Sequence, residues 1–157
     1  MQPPDYNINE SLGFITGKTH RSLHGSLTRK LADLGTGLTT EHGIVMMHLV
    51  HNDGMNQQEL CNCTFKEKTS MARLLDTMEK KGFVVRTPDR DDRRQKRIYL
   101  TRQGRELIPT FYQTAQEMLS EALQGIDAAE LETCKRVLRQ VYFNMEGQQL
   151  VFPGTNE

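Results

Sequence analysis

A chain of 157 residues with 36% hydrophobic and 25% charged side chains fits one domain with a modest core, and no stretch of about 18 apolar residues could span a membrane as a helix. Its opening MQPPDYNINES lacks the basic start and apolar run of a secretory signal, and three irregularly spaced cysteines argue against a disulfide scaffold, so a soluble cytoplasmic protein is expected. The net charge of zero hides a segregation: residues 66–105 carry thirteen Lys and Arg against six Asp and Glu, a balance of +7, and the remainder carries −7, the pattern of a chain that meets phosphates.

The first segment, 9–34, spaces Leu12, Ile15, Leu23, Leu27, Leu31 and Leu34 as the apolar stripe of a long helix. Gly35 and Gly37 break it, and Thr39 or Thr40 followed by Glu41 starts a second helix through Ile44, Val45, Met46, Met47, Leu49 and Val50 to Asn52-Asp53-Gly54. A short helix follows at 57–63, and another at 66–81 turns Met71, Leu74, Leu75 and Met78 inward before Gly82 closes it. Residues 83–87 and 97–100 are rich in strand formers and flank the polar turn 88–95, which makes a β-hairpin. Thr101 caps a further long helix with Leu107, Phe111, Met118, Leu119, Ala122 and Leu123, in which Pro109 predicts a kink or a broken first turn. Asp127 starts the last helix, carrying Leu131, Cys134, Val137, Leu138, Val141 and Met145, and the tail 147–157 is expected to be flexible.

Two helices joined by a tight turn and followed at once by a hairpin describe a winged helix-turn-helix. The fold class is thus mainly α with a small β-hairpin wing: a winged helix-turn-helix at 39–100, flanked by long dimerisation helices at 8–36 and 101–146. An α-helix fits the major groove of B-DNA, so the helix at 66–81 is the recognition helix, offering Lys66, Lys68, Thr69, Ser70 and Arg73 to phosphates and bases. The wing offers Arg90, Arg93, Arg94 and Lys96, with Arg97 behind, and an arginine on a narrow loop can enter a minor groove. Asp89, Asp91 and Asp92 at the same tip are read as internal braces for the loop, Asp92 foremost. The terminal helices are amphipathic and too long for so small a core to cover. Pairing them across a two-fold axis buries the remaining stripe and sets two recognition helices about one DNA turn (~34 Å) apart.

The stretch LLDTMEKKGFVVRTPDRDDRRQKRIYLTRQGREL resembles the heart of the MarR family of bacterial regulators. The motifs are Met78-Glu79-Lys80-Lys81-Gly82 at the end of the recognition helix, Asp92-Arg93-Arg94 in the wing, and Leu100-Thr101-Arg102-Gln103-Gly104 after it. The likeness extends more loosely from Leu12 to Met145. It implies a transcriptional regulator that binds a pseudo-palindromic operator as a homodimer, through its first, fifth and sixth helices. By position, base and groove contacts fall on Thr69, Ser70, Arg73 and Arg94, with Arg93 beside it; Ala72 stands where the family often has a polar side chain. The family also implies release by a small aromatic or anionic ligand held between the first, second and fifth helices, where His20, His24, Met46 and Phe111 would line a crevice.

Other classes fit less well. Glu41-His42 is similar to a zinc-sensing branch of the family, which draws further histidines from the fifth helix, and residues 101–125 hold none. Cys61 and Cys63, two apart on a helix, point about 200° away from each other and cannot share a metal or a disulfide. Peroxide-sensing relatives carry their cysteine in the first helix, which here has none. No phosphate-cradling glycine loop, nucleophile elbow or acid–base pair is present, so no catalysis, metal or cofactor is expected. A winged-helix module that binds protein instead of DNA remains the alternative, and salt separates the two because DNA affinity falls steeply with it.

Overall fold

The computed structural model describes residues 7–147; apart from Gly147, the tail expected to be flexible lies outside them. A 3-10 turn at Ile8–Glu10 precedes α1 (Leu12–Asp33), whose start is set by Ser11, an extended residue that accepts the Phe14 N–H at 3.3 Å. The helix therefore begins with the first residue of its apolar stripe, three positions after the start expected at residue 9. Next come α2 (Thr40–His51), the two-residue strand β1 (Met55–Asn56), α3 (Gln57–Thr64) and α4 (Lys68–Lys80). The hairpin β2 (Val84–Pro88) and β3 (Lys96–Leu100) leads into α5 (Arg102–Ala122) and α6 (Ala128–Glu146).

The sheet is antiparallel in the order β1-β3-β2, with Val84 opposite Leu100, Thr87 opposite Arg97, and Met55 opposite Ile98. The third strand is an addition to the hairpin that the sequence suggested, because two residues are too few to display a period. Helices close as their end residues dictate. Asn56 and Glu59 form a reciprocal capping box on α3, and Gly82 takes φ +73° just past α4, the left-handed turn that a side chain would strain. Pro109 sits inside a continuous α5, whose first turn is intact under its Thr101 cap.

The core lies where α1, α2, α4 and the sheet meet. Leu31, Met46, Leu49, Met71, Leu75 and Met78 are fully buried there, each worth about 1.5–3 kcal/mol of apolar burial. Two glycines permit the closest approaches. A Cβ on Gly43 would stand 2.0 Å from the Phe111 ring, so α2 and α5 pack directly on each other at that point; on Gly104 it would meet the Phe83 carbonyl oxygen at 2.1 Å. In contrast, α6 has no buried residue, and Val137, Leu138, Val141, Phe143 and Met145 are all exposed.

One cap carries a pH dependence. Buried His42 accepts the Thr39 N–H on Nδ1 at 3.2 Å and returns its own N–H to the Thr39 hydroxyl. Burial, then the Lys81 ammonium, push its pKa below the ordinary 6.5, and burial does the same at His48. The unfolded chain therefore takes up protons that the folded chain resists, so stability falls as the pH drops below about 6.5 and levels off below the folded values. Thermal melts at pH 5 should have a lower midpoint than at pH 7. The variant His42→Gln keeps the acceptor and should flatten the His42 part of that slope; an unchanged slope would show that His42 is not its source.

Candidate nucleic-acid interface

The polar start of α4 is set by its cap. Glu67 is extended and makes no side-chain cap bond, so the helix begins at Lys68 and its first turn presents Lys68, Thr69 and Ser70 to solvent, with Arg73 one turn on. Met71, Leu75 and Met78 fix the opposite face in the core. Lys66 corrects the sequence reading: it precedes the helix, and its ammonium turns back to Glu41 of α2 at 2.6 Å, half-buried. The hydrogen bond from Lys66 holds the Glu41 carboxyl below its usual range. Lys66 therefore ties the α3–α4 turn to α2 instead of facing outward.

The wing is braced from its base. Arg97 of β3 donates to Asp89 and to the Gly54 carbonyl, and lies 3.5 Å from Glu59, the capping residue of α3. Asp89 also accepts the N–H groups of Asp91 and Asp92, at 2.8 and 3.3 Å. The Arg97 guanidinium first, and these two amides after it, hold the Asp89 carboxyl at about 2. Asp92 contributes within the loop, accepting the Arg94 N–H at 3.0 Å and the Gln95 amide at 3.3 Å. Of the three aspartates expected to brace the loop, the one in an ion pair with a wing arginine is thus Asp89, while Asp92, the foremost expected brace, bonds within the loop. The register explains it: Thr87 faces Arg97, so Asp89 is the diagonal neighbour on the same face.

These ties sort eleven of the thirteen cations of 66–105, apart from Lys80 and from Lys81, whose ammonium donates to the Gly37 carbonyl at 3.0 Å. Lys66, Arg86, Arg97, Arg102 and Arg105 are paired with carboxylates. Among the described residues, Lys68 and Arg73 on α4 and Arg90, Arg93, Arg94 and Lys96 on the wing are exposed and make no ion pair. Two separate elements thus present unneutralised charge, with a cleft of about 620 Å³ between α3 and the wing lined by Gln57, Arg86, Arg94 and Lys96. Such an arrangement can neutralise phosphates on two neighbouring grooves of a duplex. Removing the brace should show in binding. Asp89→Ala leaves Arg97 and two amides without their acceptor and should raise the Kd for duplex DNA roughly three- to ten-fold, as loss of a charge-assisted hydrogen bond does. Fluorescence anisotropy would detect it, and an unaltered Kd would mean that the wing needs no such support.

The residues suggested for a ligand crevice lie on α1, α2 and α5, three helices that pack on one another. His20 is exposed and His24 half-buried, their rings 6.0 Å apart on α1, whereas Met46 is fully buried and Phe111 is packed on Gly43. Met46 and Phe111 are both buried within the single chain, Phe111 because the missing Cβ of Gly43 admits its ring. Cys61 is buried and Cys63 donates to the Glu59 carbonyl; burial pushes both thiols up and keeps them protonated. Among the described residues no three His, Cys, Asp or Glu are grouped to hold a metal ion, and no helix is long and apolar enough to cross a membrane.

Comparison with known proteins gives one consistent answer. The MarR family model matches residues 36–95, the segment from the α1–α2 turn to the wing tip. The HTH-type transcriptional regulator YybA of Bacillus subtilis is 26% identical over 109 residues, 69% of this chain and 73% of that protein. Among solved structures, transcriptional regulator PA3341 is 33% identical, with 88% of this chain and 100% of that one covered and a TM-score of 0.76. BpsR of Bordetella bronchiseptica, whose DNA binding is regulated by 6-hydroxynicotinic acid, shares the fold at a TM-score of 0.80 and 18% identity, covering 87% of this chain and 96% of its own.

Proposed function

Because the chain belongs to the MarR family of transcriptional regulators, we propose that it grips duplex DNA as a homodimer, α4 in the major groove and the wing in the adjacent minor groove. The observation that carries this reading is the set of exposed, unpaired cations on α4 and the wing, in a chain whose other basic residues in 66–105 are largely bound to carboxylates. In this reading Thr69, Ser70 and Arg73 meet base edges and phosphates, Lys68 meets phosphate, and Arg94, with Arg90, Arg93 and Lys96 beside it, follows the minor groove. The apolar face of α6, together with exposed Leu12, Phe14 and Ile15 of α1, supports pairing of two copies, which would span a pseudo-palindromic site. A small aromatic or anionic ligand that alters the spacing of the two recognition helices would modulate binding, as 6-hydroxynicotinic acid does for BpsR.

The test is to select bound sequences from a random DNA pool and titrate variants against the winner. Arg94→Ala should weaken binding to most sequences and reduce the salt slope by about 1. Arg73→Ala should cost about 1–3 kcal/mol and shift the selected sequence if it reads a base. Parent-like binding by both variants would overturn the assignment.

A further inference from the structure

We propose that Phe65 and Tyr142 form an aromatic brace through which α6 positions the recognition helix. Phe65 ends α3 and is, among the described residues, the only one other than glycine with a positive φ, at +54°. A left-handed helix end ordinarily selects glycine, so a large ring held there points to a use for the ring beyond the turn. Phe65 is 67% exposed, so it adds little to the core of its own domain. Its ring instead meets Tyr142 of α6 edge to face, with centroids 5.8 Å apart and planes at 68°. Tyr142 is in turn the only partly covered residue in the C-terminal half of α6, every other one from 132 to 146 being exposed. The pair lines a cleft of about 940 Å³ that Lys68 and Thr69 of the first turn of α4 also line.

The consequence is mechanical. Lys66 ties the α3–α4 turn to α2, and the Gln57 amide ties the Lys68 carbonyl to α3, so both of those anchors lie within the winged domain. The Phe65–Tyr142 contact is an anchor of the turn to the helix whose apolar face is left for a second copy. A shift of α6 within the pair would therefore reach the recognition helix through these two rings. Phe65 and Tyr142 are positioning residues that touch no base themselves, and their role rests on the DNA-binding reading above.

The test uses the full chain and four variants: Tyr142→Ala, Tyr142→Phe, Phe65→Gly and the double variant of Phe65→Gly with Tyr142→Ala. Phe65→Gly leaves α6 untouched and suits the left-handed backbone, so the fold is retained. Amide hydrogen exchange at residues 66–70 should accelerate in Tyr142→Ala and in Phe65→Gly, with Tyr142→Phe like the parent, since the ring and not the hydroxyl makes the contact. The Kd for the selected duplex should rise roughly three- to ten-fold in either single variant, the range of one aromatic pair, and no further in the double variant. Unchanged exchange and unchanged Kd would overturn the brace, as would a Tyr142→Phe variant as impaired as Tyr142→Ala. If the parent bound no duplex but exchange at the turn still accelerated, the DNA-binding reading would fall and the brace would stand.

Discussion

Gly104→Ala should lower the thermal midpoint by roughly 6–12 °C, because the added methyl meets backbone that cannot yield. Gly104 lies in the first turn of α5, and its Cβ would stand 2.1 Å from the Phe83 carbonyl oxygen and 3.4 Å from Leu100. That carbonyl is already fixed: it accepts the Thr101 N–H at 3.1 Å and the Thr101 hydroxyl at 3.2 Å, while the same hydroxyl caps the helix through the Gly104 N–H. Relief requires moving α5 away from the strand that begins at Val84, and overpacking of this kind costs about 3 kcal/mol or more. In a chain of this size each kcal/mol moves the midpoint by about 2–4 °C. The sign is the decisive part. At an open helical position, glycine to alanine gains about 1 kcal/mol, so a raised midpoint would show that the close contact does not exist. The same geometry gives a physical reason for the Leu100-Thr101-Arg102-Gln103-Gly104 signature: threonine caps, and glycine lets the cap sit on the wing.

How far the sequence could be read depended on how far apart the deciding residues lie. The inner face of α4 was legible because Met71, Leu75 and Met78 repeat with the helix itself. The partner of Lys66 was not legible, because its ammonium is held by Glu41, twenty-five positions earlier, a choice no local pattern encodes. Three aspartates within four positions of the wing are equivalent until a register is known; pairing of Thr87 with Arg97 then singles out Asp89. The burial of Phe111 was not legible from its own helix, because it depends on the missing Cβ of Gly43 on α2. Nothing in the sequence marks Phe65, since its left-handed backbone and its packing on Tyr142 both depend on the fold.

The charge segregation has a similar lesson. A balance of +7 over 66–105 suggested a phosphate-binding segment, yet a count of cations overstates what is available. Arg86 is held by Asp76 at 2.7 Å, Arg105 by Asp53, and Arg97 by Asp89, so these arginines build the scaffold that aims the others. The salt slope of binding should therefore reflect the unpaired group on α4 and the wing and not the full thirteen.

Replacing Leu138 and Val141 together by glutamate should convert a dimer to a monomer and weaken binding to a two-half-site operator by about 10²–10⁴-fold. Leu131, Cys134, Leu138, Val141 and Met145 recur at alternating spacings of three and four, the seam of a helix that packs against another helix. None of them is buried within the chain, so the substitutions remove little from the monomer's own core, and circular dichroism should report unchanged helicity. At a two-fold interface each substitution enters twice, which would bring four carboxylates into an apolar seam, a far larger cost than the missing apolar packing alone. The drop in affinity follows from linkage: once one half-site is bound, the second recognition helix is delivered at an effective concentration near millimolar, and a monomer forfeits that advantage. Sedimentation velocity and operator titration would measure the two effects side by side, with Leu138→Met as the volume-conserving control that should leave both unchanged. A doubly substituted chain that still sediments as a dimer would place the pairing surface elsewhere than α6, and a monomer that still bound the operator tightly would mean that one winged domain suffices for recognition.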